Sequence, residues 1–321
     1  MRPALKPGLL PVWRDRDTLQ IGIDSRRAVA LTGMAGAAQM IGLLDGSRDR
    51  AQVIQAAAGR GIPEDTAEKV LSLLAAAGVL DDFPAATLRL LPPLLRSRLA
   101  GELATASLAH RDGDGGARTL ARRLEALVRI HGGGRVGAGI ARLLSASGIG
   151  RVTDAPPAGE TSPPEQTRRA GGGPMRAPRP DLAVLVGRPP QELRAGLMEE
   201  RVPHLAVLAD EAIGVVGPLV IPGRTACLRC LDLARTDRDP AWPLILAQLT
   251  SREPDPRACD APLAAAVAAQ AAAQVLGFID RAAPAGAVTN GTLELVLPGW
   301  QWRRRTWPPH RDCSCGEYAV R

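Results

Sequence analysis

Cys227-Leu-Arg-Cys230 and Cys313-Ser-Cys315 hold four of the five cysteines in two tight pairs that lie far apart along the chain. A Cys-x-x-Cys turn aims two thiolates at one point, and a second pair brought in from a distant segment completes a four-sulfur tetrahedron. The segments around 227 and 313 are therefore expected to meet in space, whatever lies between them. Four sulfur ligands leave no coordination position for an activated water, so the metal expected here, Zn2+, is a structural rivet and not a catalyst. No apolar secretory signal follows Met1. A reducing, cytoplasmic setting is expected from this, and it favours metal over disulfides.

The 321 residues are enough for two domains with ordinary cores. The most apolar stretch, Ala261 to Ile279, is interrupted by Gln270 and Gln274, and no membrane partner is expected. A net charge of +7 raises the question of a polyanion partner. Every basic residue except Lys6 and Lys69 is Arg, however, and the arginines are scattered. The skew, with abundant Ala, Gly and Pro, reads as coding bias, and no nucleic acid partner is expected.

Residues 1–82 read as short strands followed by helices. Leu10–Trp13, Leu19–Ile23 and Ala28–Leu31 alternate as a three-stranded meander, and helices are expected over Ala35–Leu44, Asp49–Ala58 and Pro63–Ala77, each closed by glycine. This β-β-β-α-α-α order belongs to winged-helix-like α+β modules. The third helix carries Glu64, Asp65 and Glu68 against Lys69, which makes it a poor reader of a DNA groove. Residues 83–120 form a connector with helical pieces.

From 121 onward the chain reads as an α/β domain. Leu127–Ile130 is a strand, Gly132, Gly134 and Gly137 form Gly-x-Gly-x-x-Gly, and a helix follows over Ala138–Ala146. Gly150–Asp154 is a second strand ending in an acid placed for a ribose hydroxyl. The order is that of a Rossmann-type βαβ unit, whose glycines let a phosphate approach the helix N-terminus. Residues 155–180, rich in Pro, Gly and Arg, read as a flexible insert. Strands are expected at Asp181–Val186, His204–Ala209, Ile213–Val220, Thr289–Leu297 and Trp300–Trp302, with helices at Glu192–Glu200 and from Asp260.

The glycines 132–137, the Val-Pro-His-Leu strand from 202, Gly217-Pro-Leu-Val-Ile-Pro-Gly-Arg-Thr-Ala-Cys-Leu-Arg-Cys230, the helix after Cys259 and the pair Cys313 and Cys315 resemble the ThiF/MoeB-like ubiquitin-activating superfamily over residues 120–318. Cys-Leu-Arg-Cys-Leu-Asp with Thr-Asp-Arg-Asp-Pro-Ala-Trp-Pro is most similar to the branch attached to bacterial ribosomal-peptide natural-product clusters. Members of that branch join a ThiF-like body to an N-terminal recognition element similar to PqqD. Residues 1–82 resemble this element through Leu5-Lys-Pro-Gly8, Leu19-Gln-Ile-Gly22 and Leu43-Leu-Asp-Gly46. The resemblance implies a protein that grips the leader of a precursor peptide at Ala28, Val29, Ala30 and Leu31, opposite a wall formed by Pro63–Ala77. It implies presentation of the core to a YcaO-type cyclodehydratase, and a homodimer through the Ala-rich helix.

Adenylating members of the superfamily carry an Asn-Leu-x-Arg-Gln tract, a Lys and a magnesium-binding Asp. This chain has no Asn before Asn290, no Lys after Lys69, and Gly187-Arg-Pro-Pro where that Asp would follow Val186. Phosphoryl-type chemistry needs such cations. A vestigial nucleotide loop at Gly132, Gly134, Gly137 and Asp154, without ATP, is therefore expected, the alternative being a divergent adenylating enzyme. Cys259 stands where thiolating members keep a reactive cysteine, but a free cysteine at a helix start reads as a packing residue. His131 reads as a strand end and His310 as a surface residue. Trp300, Trp302 and Trp307 read as edge packing beside solvated Arg303, Arg304 and Arg305.

Overall fold

The computed structural model describes residues 1–83, 88, 91–155, 178–251, 258–281 and 286–318. The chain divides into two compact units, Met1–Arg122 and Arg123–Arg321.

In the first unit β2 (Pro11–Trp13), β3 (Leu19–Ile21) and β4 (Val29–Leu31) form the expected antiparallel meander, and β1 (Pro3–Leu5) pairs with β5 (Leu80–Asp82) in a separate two-stranded ribbon. The β-β-β-α-α-α reading contained neither β1 nor β5. The expected helix over Ala35–Leu44 is a 3-10 segment, Ala38–Leu43, whose N-cap Ala37 offers no side-chain acceptor for the first amides. By contrast α1 (Arg50–Ala58) begins at Asp49, which accepts from Gln52 N while Gln52 caps it in return. Along α2 (Glu64–Ala76), Ala67, Val70, Leu71 and Leu74 recur at helical spacing and are buried. They enter one core with Leu19, Ile21, Leu31 and Met40.

After α3 (Pro93–Arg98), α4 (Ala100–His110) brings Ser107 to a buried polar knot. Lys6 Nζ lies 2.9 Å from Asp81 Oδ1 and donates to Ser107 O at 2.7 Å, while Ser107 Oγ donates to Asp81 Oδ2 at 2.6 Å. One of the two lysines of the chain is thus a core residue.

α5 (Ala117–Glu125) runs across the division. The second unit is built on a seven-stranded mixed sheet in the order β12-β11-β10-β9-β8-β6-β7. β6 (Leu127–His131), β7 (Arg151–Ala155), β8 (Leu182–Val186) and β9 (His204–Asp210) are parallel. β10 (Ile213–Val220), β11 (Gly291–Val296) and β12 (Gln301–Thr306) continue antiparallel. β8 and β9 are near-continuous apolar runs because both of their faces are covered, whereas β7 ends the sheet and is largely exposed. One core gathers Val128, Ile130, Val184, Leu205 and Val207 with α6 (Gly134–Ala146) and α10 (Ala261–Ile279). Ala183 and Leu185 pack with Leu197 of α7 (Gln191–Glu199).

α10 is long and apolar enough, by length and composition, to cross a membrane. Its Leu263, Ala264, Val267, Ala268, Ala271, Ala272 and Val275 are buried in the sheet core. A side chain at Gly139 of α6 would lie 2.9 Å from the Ala268 Cβ, so small residues set the close approach of these two helices. Arg123 closes the helix end, with Nε and a terminal nitrogen donating to the Asp280 carboxylate at 2.9 and 2.7 Å.

Of the expected insert 155–180, Ala155 belongs to β7 and residues 156–177 lie outside the described residues. β12 extends well beyond the expected Trp300–Trp302, so Arg303, Arg304 and Arg305 belong to a strand.

Candidate functional site

The two cysteine pairs converge. β10 runs antiparallel to β9, so Val220 lies opposite His204, at the edge of the sheet where the parallel strands begin. The chain then turns into Cys227, the N-cap of α8 (Leu228–Thr236), and Cys230 sits in its first turn. A helix N-terminus favours thiolates through its oriented amides. The second pair arrives from β12 through a turn in which Cys313 N donates to His310 O at 3.0 Å.

The Cys227 sulfur lies 3.8 Å from that of Cys230 and 3.6 Å from that of Cys313, and those of Cys230 and Cys315 are 3.4 Å apart. All four fall within 4.8 Å of one another. A disulfide needs about 2.05 Å, whereas a tetrahedral ion with bonds of about 2.3 Å separates its sulfurs by roughly 3.8 Å. The donor set fits a single metal ion.

Without an ion the sulfurs compete for protons. Cys230 is held down to about 4, first because the Cys227 thiol donates to it and then through the backbone of His310 and Cys227. Cys227 is pushed up as that donor, and Cys315 rises to about 12 through burial. A cation would remove this conflict by taking all four as thiolates.

Three residues outside the cysteine pattern hold the centre. Asn290, the only asparagine, accepts from Ala226 N at 2.7 Å through its side chain and from Trp307 N at 2.8 Å through its carbonyl. It fastens the first cysteine turn to β11. Trp307 is 1% exposed, packs with Cys227, Cys230 and Cys315, and donates to Thr292 Oγ1 at 3.0 Å. His310 is not a surface residue. Its side chain is 10% exposed and meets Asp237 Oδ2 at 2.9 Å, while its backbone serves the sulfurs.

The arginines of β12 are not simply solvated either. Arg304 donates to Ala287 O and Thr289 O, and Arg305 lies 4.4 Å above the Trp307 ring. Trp300 is exposed, and Trp302 packs partly against the sheet core.

The glycine loop lies at the opposite edge, where the parallel strands end. The connection leaving β6 goes to β7 on one side and the one leaving its neighbour β8 goes to β9 on the other, so the loop occupies a topological switch point. Gly132 has φ +95°, and a Cβ there would strike the Val186 carbonyl at the end of β8. Gly137 passes Gly132 O so closely that a Cβ would sit at 2.9 Å. Gly134, at φ +70°, faces open space. Asp154 is exposed on β7, paired in register with Ile130. His131 ends β6 as expected, its pKa lowered by burial. After β8, Arg188 reaches Asp210 at 3.0 Å.

Cys259 lies apart from the cysteine cluster. It is partly buried against the sheet core, just before Asp260, the N-cap of α10. The residues singled out for peptide contact lie at a sheet edge, since β4 pairs only with β3 among the described residues. The amides of Gly22 and Arg14 donate to Leu10 O and Thr18 O, which fixes the alternation of the ladder. In that alternation Val29 bonds inward to Ile21, and Ala30 turns its N–H and C=O to the free edge.

The fold is shared with heterocyclases and with a microcin C7 biosynthetic enzyme. No family model matches the chain, and no curated protein does. Among solved structures, the heterocyclase TruD superposes with a TM-score of 0.66 at 19% identity, over 98% of this chain and 43% of TruD. A heterocyclase in complex with substrate and cofactor gives 0.67 at 18%, over 98% and 39%. E. coli MccB, with AMPCPP and MccA, gives 0.68 at 15%, over 98% and 100%. The chain thus spans about two fifths of the length of the heterocyclases and the whole of MccB.

Proposed function

We propose that this chain is a leader-peptide-binding scaffold that recruits a ribosomally made precursor to a YcaO-type cyclodehydratase for azoline formation. The observation that carries the reading is the match of almost the entire chain to one part of TruD and to MccB, a protein crystallised with the peptide MccA. On this reading the first unit acts as a PqqD-like, winged-helix-like element, and an extended leader adds a strand beside β4. Backbone bonds would give affinity, and pockets for alternate side chains would give sequence choice. The metal is Zn2+, held by Cys227, Cys230, Cys313 and Cys315, and its role is to lock the tail. A homodimer through the outer face of α10 belongs to the same reading.

Fluorescence polarisation with a labelled precursor leader peptide tests it. Ala30→Pro removes the outward amide while leaving the β3–β4 ladder in place, a position where an edge strand tolerates proline. It is expected to weaken binding at least tenfold, about 1.4 kcal/mol, with an unchanged circular dichroism spectrum. Undiminished affinity would remove β4 as the docking edge.

The second reading is an adenylating enzyme, favoured by the full-length match to MccB. Against it stand the missing lysine and asparagine tract, and Arg188 paired with Asp210. The scaffold reading expects no ATP-dependent pyrophosphate exchange. Exchange above background, abolished by Asp154→Ala, would overturn it.

A further inference from the structure

Three guanidinium groups converge on one buried indole. Arg235 near the end of α8, Arg238 just beyond it and Arg305 on β12 lie 5.5, 5.5 and 4.4 Å from the Trp307 ring centroid. Arg235 also lies 4.8 Å over Trp242. The ring is fixed by burial and by its bond to Thr292, so it holds the cations as a rigid platform.

Their own carboxylates are largely spent elsewhere. Asp232 is 3.9 Å from Arg235 but 2.8 Å from Arg194. Glu294 accepts from Thr292 Oγ1 and stands opposite Arg303 in the ladder. Asp210 is taken by Arg188. Among the described residues Arg238 and Arg305 have no carboxylate partner, and both are exposed.

We infer that this Trp307-centred arginine cluster is a docking surface for an acidic peptide segment of a protein partner. Planar guanidinium forks match carboxylates two bonds at a time, and stacking on the indole has already restricted their rotamers. Gathering like charges around one ring is unfavourable alone and becomes favourable when anions arrive between them. A single-stranded nucleic acid is the poorer occupant, because Trp307 is buried beneath the arginines and offers no face for a base. A focus around one ring also lacks the length of a phosphate-tracking stripe. The inference stands independently of any peptide at β4.

The test uses the full chain and fluorescein-labelled hexaglutamate, with polarisation read at about 50 and 200 mM salt, conditions over which electrostatic contacts weaken. Saturable binding that weakens with salt is expected. The double variant Arg238→Gln/Arg305→Gln should lose at least tenfold in affinity, whereas Arg14→Gln/Arg16→Gln, which removes equal charge in the first unit, should stay within about twofold. Thermal midpoint and metal content establish that the first pair is folded. In the unaltered protein, the peptide should also protect Arg238 and Arg305 from phenylglyoxal, read by mass spectrometry. Absence of binding at the lower salt, equal loss in both double variants, or no protection would overturn the inference. So would an oligo-dT strand that binds more tightly than the peptide and is lost in the first double variant.

Discussion

The two edges of the second unit's sheet carry the two motifs that stand out in the sequence, and they are built in opposite ways. At the edge where the parallel strands begin, four side chains converge on one point. At the edge where they end, the glycine loop works by having no side chains. Crowding four sulfurs, three of them on buried cysteines, is unfavourable unless a cation joins them, so the cysteine set is arranged for a ligand. The glycines at 132 and 137 are required by contact with Val186 and with the loop's own carbonyl, whether or not a nucleotide ever arrives. The first motif speaks of chemistry and the second of a turn.

The sharpest way to break that contrast is to remove a sulfur. Cys230→Ser should lower bound metal from about one equivalent to nearly none and destabilise the second unit, by up to about 10 kcal/mol if metal binding is as tightly coupled to folding as in small zinc modules. Elemental analysis and urea unfolding read both. Less than half an equivalent in carefully purified unaltered protein would end the metal reading.

Within the glycine loop, Gly132→Ala should cost about 3 kcal/mol, from a collision with the Val186 carbonyl added to positive φ. Gly134→Ala, with open space around it, should cost about 1 to 2 kcal/mol. Equal costs, measured by denaturant unfolding, would show that something besides backbone geometry constrains Gly134.

Acid should find the edge that carries the cysteines. His204 is 1% exposed, with Nδ1–H donating to Val202 O at 2.9 Å, and burial lowers its pKa from 6.5 to about 4. Above 6.5 both folded and unfolded forms are neutral and the stability is fully present. Between 6.5 and about 4 the unfolded chain takes up the proton first, so stability falls with pH, by about 3 kcal/mol at the limit. His204→Asn should be less stable at neutral pH but flatter across that window. An unchanged slope in urea midpoints from pH 7 to 4.5 would exclude His204 as its source.

The smallest effect belongs to the opposite edge. Glu211 and Ala212 join β9 to β10 with φ of 53° and 58°, a turn that asparagine and glycine fill more easily. Ala212→Gly should therefore stabilise by about 0.5 to 1 kcal/mol in thermal unfolding, and a loss of stability would show that Ala212 contributes packing that outweighs its strain.

What could be read in advance followed the same division. Strands such as Leu182–Val186 and the strand–glycine–helix passage around 132 carry runs or spacings that specify them locally. β1 and β5 are three residues each, too short for any period, and Leu80-Asp-Asp does not alternate. The 3-10 segment at Ala38–Leu43 has apolar residues at helical spacing, and what it lacks is a cap. Of the cysteine cluster and its supports, the sulfurs announce themselves by pairing. Asn290 and Trp307 do not, because their roles depend on which strand lies beside which. Lys6 is similar, since only the fold brings Asp81 and Ser107 to it. The three arginines around Trp307 come from two elements with no shared spacing.

The sulfurs that meet in the centre are made at very different moments. Cys230 and Cys315 stand 85 positions apart. At about 5 to 20 residues per second, the first pair waits on the order of 4 to 17 s for the second to be synthesised. Throughout that interval β9 and β10 can pair, but the turn after Val220 holds only half a coordination sphere, and Asn290 and Trp307 are themselves made late in it, 60 and 77 positions after Cys230. The growing chain therefore passes through a period as a two-thiol species, open to oxidants and to other metal ions, before its last strands close over it.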